Sequence, residues 1–171
     1  MHETDELIST AKELGVAYVA YSPLGHGWLV DNCDFYNSPD DFAPNDLRRT
    51  SRSTCLSHID HSIHCVMLTD ITIVPKFQGE NFHQNKAIVE EIKKLAARRG
   101  CTTAQVALAW VAAQGMIAIP GTTKVARLEE NWASREIELT KEELVEMRRI
   151  VNSAKPVGNR YPEALQATVG H

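Results

Sequence analysis

Only two short runs of this 171-residue chain read as β-strands. The first is Val16-Ala17-Tyr18-Val19-Ala20-Tyr21, and the second centres on Ile117-Ala118-Ile119. The first run does not alternate apolar with polar, which predicts a strand buried on both faces, as in a parallel sheet. Two strands do not make a stable sheet alone, and they leave the surrounding amphipathic helices with too little to cover. The chain therefore reads as a single-domain piece of a larger α/β architecture.

Helical periodicity fills most of the remainder. Thr4-Asp5 can cap a first helix in which Leu7, Ile8, Ala11 and Leu14 share a face, and Gly15 fits its C-terminal stop. A second helix is predicted over residues 81 to 99, with Ile88, Ile92, Leu95 and Ala96 on one face and Gly100 closing it. Thr102 to Gln105 fits a capping box, and Val106, Ala109, Trp110 and Ala113 line the helix that follows. Thr140 and Glu143 repeat the capping pattern, flanked by Leu139 and Leu144 as a hydrophobic staple, ahead of Met147, Ile150 and Val151. No solenoid-type repeat is visible.

Two loops carry the candidate chemistry. Ser22-Pro23-Leu24-Gly25-His26-Gly27 breaks the first strand, and ligands of α/β proteins sit beyond the carboxyl ends of strands. Tyr21 can lay its ring against a flat cofactor, and Ser22 with the Gly25 and Gly27 backbone can meet phosphate. A plain turn chosen for its Pro and Gly has the same letters. The second strand runs into Pro120, Gly121, Thr122 and Thr123 and then a basic, helix-period segment. Strand, tight turn and helix N-terminus make an anion site, because free N–H groups and the positive dipole end point the same way. Lys124 and Arg127 add full charges there, and Glu130 and Asn131 supply acceptors one turn on. Such a set can hold a phosphate at one end and a polar ring edge at the other. Spacing alone favours the plainer alternative, an ordinary βα connection with a solvated charged face.

Residues 31 to 78 read as one long loop, interrupted by an insertion at 51 to 73 of abruptly different composition. Cys55, His58, His61, His64 and Cys65 recur there at intervals near three, but the spacing matches no paired-ligand pattern, so no metal site is assigned. A net charge of −4 argues against a dedicated nucleic-acid binder, and no apolar run approaches the ~20 residues of a membrane span. The acidic opening, Met1 to Glu6, lacks the order of a signal peptide, and four scattered cysteines read as reduced thiols. Both predict a cytoplasmic protein.

Five stretches together resemble the C-terminal half of the aldo-keto reductases, and most closely a fungal branch similar to pyridoxal reductases and aryl-alcohol-type members. They are ELGVAYVAYSPLGHG (13 to 27), PKFQGENFHQNKAIVEEIKKLA (75 to 96), CTTAQVALAWVAAQG (101 to 115), IAIPGTTKVARLEENWAS (117 to 134) and ELTKEELVEM (138 to 147). The resemblance implies the C-terminal part of a (β/α)8 TIM barrel, with its first half absent and its cofactor lying across the C-terminal face. The two strands are then the seventh and eighth. Residues 1 to 30 hold a helix, a strand and a cofactor loop, 79 to 154 hold the remaining helices and the last strand, and 155 to 171 form a tail.

By the same resemblance Tyr21 aligns with the aromatic that stacks on nicotinamide. Ser22, Leu24, Gly25 and Gly27 align with the pyrophosphate loop. Gly121, Thr122 and Thr123 align with the turn at the adenosine 2′-phosphate, Lys124 and Arg127 with its basic surroundings, and Glu130 and Asn131 with the pair that hydrogen-bonds adenine. A cationic 2′-phosphate pocket implies NADP(H) rather than NAD. The family's catalytic Asp, Tyr, Lys and His come from the first four strands, so no catalytic residue is carried over. The expected function is NADPH-dependent reduction of a small-molecule carbonyl substrate, with this chain supplying the cofactor-binding half. The alternative is a non-catalytic remnant that binds NADP weakly or acts only as an interaction partner, self-associating through its exposed half-barrel.

Overall fold

The computed structural model describes residues 2–30, 38, 41, 74–153 and 156–159. They form α1 (His2–Glu13), β1 (Tyr18–Tyr21), α2 (Gly79–Arg99), α3 (Thr103–Ala113), β2 (Met116–Ile119), α4 (Val125–Ala133) and α5 (Lys141–Ser153). Single 3-10 turns stand at Gly25–Gly27, Pro75–Phe77 and Ser134–Glu136. The order is the expected one. The His- and Cys-bearing insertion lies outside the described residues. Among those described, no cluster of His, Cys, Asp and Glu is placed to hold a metal, and no helix is long and apolar enough to cross a membrane. The chain groups into two compact units, Met1–Asp31 with Glu91–Arg149 and Asn32–Glu90 with Ile150–His171.

Glycine stops the first two helices by a shared device. Gly15 and Gly100 both sit at φ +66°. The Val16 N–H reaches back to the Ala11 carbonyl at 2.8 Å, and the Cys101 N–H reaches the Ala96 carbonyl at 3.1 Å. This satisfies carbonyls that the helix end would otherwise orphan. At the other end α1 begins at His2, ahead of the expected Thr4-Asp5 cap, and Leu7 and Leu14 of its predicted apolar face are exposed.

In the first unit the most deeply placed element is α3. Its sequence, TAQVALAWVAA, has no charged residue, and it buries Thr103, Ala104, Val106, Ala107, Leu108, Ala109 and Val111. That is more than the single face expected, and Ala113 of that face is exposed. The capping box forms: the Thr102 hydroxyl accepts the Gln105 N–H at 3.2 Å, and Gln105 Oε1 accepts the Thr102 N–H at 3.0 Å. Trp28 joins the buried apolar set, with Ile92, Leu95 and Ala96 of α2 and Met147 of α5. The second capping box also forms, with the Thr140 N–H on Glu143 Oε2 at 2.8 Å and the Glu143 N–H on the Thr140 hydroxyl at 3.3 Å.

The two strands pair in parallel, with Tyr18 opposite Met116 and Tyr21 opposite Ile119. Burial on both faces is not what the sheet shows. Tyr18, Ala20, Met116 and Ala118 are half-buried, whereas Val19, Tyr21, Ile117 and Ile119 are each about half exposed. Side chains of a strand alternate between faces, and helix cover reaches only one face of this ribbon. An unalternating apolar run therefore leaves an apolar face open.

The second unit is built around Phe77, Phe82, Ile88, Val89 and Ile150. Buried Asn85 donates to the Lys76 and Val157 carbonyls and accepts the Val157 N–H, holding 156–159 against the Pro75–Phe77 turn.

Replacing Gly100 by Ala puts a Cβ at a left-handed φ that meets no other atom. The cost is then conformational, about 1–2 kcal/mol, and a urea titration reads it as a lower midpoint at unchanged slope. An unchanged midpoint would mean that the helix ends otherwise.

Candidate functional site

Because Tyr21 pairs with Ile119, the loop after β1 and the turn after β2 leave the sheet side by side at its carboxyl edge. All twelve candidate residues lie on these two segments and on α4, within one compact unit. Tyr21 ends β1, about half exposed on the open face of the sheet. The loop after it holds an unusual backbone. Ser22 (φ 49°), Gly25 (61°), His26 (60°) and Gly27 (88°) are all left-handed. A left-handed Ser or His costs about 1–2 kcal/mol, and such strain persists where surrounding bonds over-determine it. Here the Gly25 N–H bonds the Ser22 carbonyl, and the Gly27 and Leu29 N–H groups both bond the Leu24 carbonyl, at 3.0–3.2 Å. A Cβ on Gly25 would meet Trp28 at an ordinary 3.5 Å. Glycine is needed there for its φ, not for space.

Across the edge, Gly121, Thr122, Thr123 and Lys124 are exposed. The Thr122 hydroxyl accepts the Lys124 N–H at 3.1 Å, closing the turn into α4. Lys124 is the N-cap residue of α4, in extended conformation and without a side-chain cap. Among the described residues, neither the Lys124 ammonium nor the Arg127 guanidinium is held by a carboxylate or a hydrogen bond. Both charges are therefore uncommitted.

α4 is amphipathic the wrong way round for a surface helix. Val125, Leu128 and Trp132, at i, i+3 and i+7, are 72%, 60% and 65% exposed, while Asn131 on another side is 8% exposed. Arg127 and Glu130 are half-buried. The plainer reading of this segment, a solvated charged face, is thus not the arrangement seen: the polar side is the packed one. It is held by polar bonds. Ser134 Oγ donates to the Asn131 carbonyl at 2.6 Å. Gln105 Nε2, from the capping box of α3, donates to the Glu130 carbonyl at 3.2 Å. Sequence reasoning gave Gln105 a capping role only, and no spacing rule links it to a residue 25 positions away. Among the described residues no hydrogen bond reaches the Asn131 side-chain amide. Arg135 stacks over the exposed Trp132 ring, 4.3 Å from its centroid.

A model of the aldo/keto reductase family matches residues 1–152. The chain belongs to this family. Its relatives include an aldo-keto reductase of Gibberella moniliformis, 50% identical over 99% of this chain and 45% of that protein. Aldo-keto reductase str7 of Strobilurus tenacellus is 40% identical over 90% of this chain and 39% of its own length. Aldo-keto reductase yakc [NADP(+)] of Schizosaccharomyces pombe is 33% identical over 91% and 39%. The chain thus spans less than half the length of the curated relatives it matches. The solved glycerol dehydrogenase of Gluconobacter oxydans superposes with a TM-score of 0.59 at 23% identity, covering 89% of this chain and 39% of that one. The fold is accordingly a portion of the family's (β/α)8 barrel. Aldo-keto reductases in general use nicotinamide dinucleotides and small carbonyl substrates.

Asn131→Leu keeps the branching of the side chain and removes no hydrogen bond made among the described residues, so it is expected to change stability by no more than about 1 kcal/mol. A clear drop in scanning calorimetry would show that the amide holds α4 in place.

Proposed function

We propose that this chain forms the NADP(H)-binding half of an aldo-keto reductase that reduces an aldehyde or ketone to an alcohol, acting in the cytoplasm. One observation carries the reading. A strained glycine loop and a turn with two uncommitted cations stand side by side beyond the carboxyl ends of two parallel strands. The printed name of the Schizosaccharomyces pombe relative, which specifies NADP(+), supports the cofactor.

The residues present fit that group. Tyr21, at the strand end, offers a ring for the nicotinamide. Ser22, Leu24, Gly25 and Gly27 shape the backbone that meets the pyrophosphate, and the loop's own backbone bonds hold that shape. Gly121, Thr122 and Thr123 line the turn for the 2′-phosphate, and Lys124 and Arg127 supply its counter-charge. Glu130 and Asn131 offer acceptor and amide to an adenine edge. Bound NADPH supplies a hydride for the carbonyl carbon. This chain's own residues bind and orient, and no catalytic role is assigned to any of them.

The test is titration of the purified chain with NADPH and with NADH, followed by protein fluorescence. A charge-assisted phosphate contact is worth about 1.5–3 kcal/mol. Arg127→Ala is therefore expected to weaken NADPH at least about tenfold and to leave NADH nearly unchanged. Equal loss for both would remove Arg127 from the 2′-phosphate.

A second reading, a non-catalytic chain that works through association, has its own support. Val19, Tyr21, Ile117 and Ile119 form an open apolar face at the edge of an unclosed sheet. Under this reading the chain sediments as a dimer or larger species, and Ile117→Lys shifts it toward monomer. A wild-type chain that is monomeric and unfolds cooperatively would rule it out.

A further inference from the structure

The side chain that ties α4 to the body of its unit is one that binding-loop reasoning passes over. The usual i+4 donor to the Glu130 carbonyl is the Ser134 N–H, but that group turns instead to the Asn131 and Trp132 carbonyls as the chain tightens into the Ser134–Glu136 turn. The Glu130 carbonyl is thereby released, and Gln105 Nε2 takes it at 3.2 Å. Gln105 is itself locked. Its Oε1 accepts the Thr102 N–H, and its own N–H is on the Thr102 hydroxyl, at the start of the most buried helix of the unit. One amide thus reads two helices: its oxygen caps α3, and its nitrogen sets the height of α4 at the residue before Asn131.

The arrangement matters because α4 lacks the usual hydrophobic anchor. Its apolar stripe, Val125, Leu128 and Trp132, faces outward. The position of its inner, polar side then depends on directional bonds rather than on apolar packing. A side chain used to contact a ligand holds its geometry only when its support is fixed within a fraction of an ångström.

We infer that Gln105 is a positioning residue for the adenosine end of the dinucleotide site: through the Glu130 carbonyl it holds Glu130 and Asn131 where an adenine edge is met. The inference rests on the NADP(H) reading above. Gln105 touches no part of the ligand.

The two halves of the Gln105 amide can be separated chemically. Gln105→Glu keeps an oxygen for the Thr102 N–H and places a carboxylate in the first turn of α3, which favours the helix. It removes the donor to the Glu130 carbonyl and sets two oxygens against each other. Thr102→Ala does the reverse: it breaks the cap and leaves the amide nitrogen free to hold α4. The probes are adenosine 2′,5′-bisphosphate for the adenosine end and nicotinamide mononucleotide for the other, titrated calorimetrically into the full chain. Gln105→Glu is expected to weaken the bisphosphate about fivefold or more, as for loss of one positioning hydrogen bond, with the mononucleotide affinity unchanged. Thr102→Ala is expected to lower the midpoint and leave both affinities alone. Unchanged bisphosphate affinity in Gln105→Glu overturns the inference, as does equal weakening in Thr102→Ala. In the wild-type chain, the Gln105 side-chain amide signals in NMR should shift with the bisphosphate and stay still with the mononucleotide. Stationary signals with both overturn the inference without recourse to a variant. A wild-type chain that binds neither NADPH nor the bisphosphate fails the cofactor reading itself, and the positioning role falls with it. Intact wild-type binding with an unaffected Gln105→Glu variant fails only the positioning role.

Discussion

The parallel pairing of β1 with β2 is the interaction on which the rest of the site depends. Two four-residue strands contribute little stability by themselves. What they contribute is register. With Tyr21 opposite Ile119, two loops separated by most of the chain emerge as neighbours about 4.8 Å apart. A slip of one residue would turn every strand side chain to the other face. It would also offset the Ser22 to Gly27 loop from the turn that carries Lys124. Both loops emerge at the carboxyl edge, where α/β folds place their ligands, because the strands run the same way.

From that edge inward, the site is built by placing polar groups where packing would ordinarily put apolar ones. The Ser22 to Gly27 loop holds left-handed residues that cost free energy in isolation and are tied by their own backbone bonds. α4 turns Arg127, Glu130 and Asn131 toward the body of the unit and Leu128 and Trp132 toward solvent. Each choice costs stability that apolar packing or relaxed backbone would otherwise supply. The offset comes from elsewhere in the unit, chiefly from α3, which is uncharged and buried along most of its surface. The candidate residues thus sit on the elements with the least apolar anchoring, and the Gln105 bond to the Glu130 carbonyl steadies one of them.

The open face of the sheet follows from the same economy of elements. Helices cover one side of a two-stranded ribbon, and Val19, Tyr21, Ile117 and Ile119 are left on the other. In a closed barrel such residues would meet their counterparts from other strands. Membership of the aldo/keto reductase family, together with a span below half the length of its matched relatives, accounts for the residue types found there.

Much of the local structure was legible from residue order, because its causes are local. Gly15 and Gly100 announce helix ends through a backbone conformation that other residues resist. Thr102 with Gln105, and Thr140 with Glu143, announce helix starts by closing reciprocal bonds within four residues. The twelve candidate positions could be named because strand ends, glycines and cations fall at recognisable spacings, and resemblance gave each a role. Three features were not legible. The strand runs promised burial on two faces and have it on one, since burial depends on what other elements cover. The polar side of α4 read as solvated and is packed, since periodicity shows that faces differ and not which one turns inward. The second bond of Gln105 joins residues far apart in the chain. The sequence by itself determined the elements, most of their ends and the family, all matters of short-range geometry and pattern. Only the tertiary structure decided which faces are covered and which side chains meet, because those depend on contacts between segments that no local preference can specify.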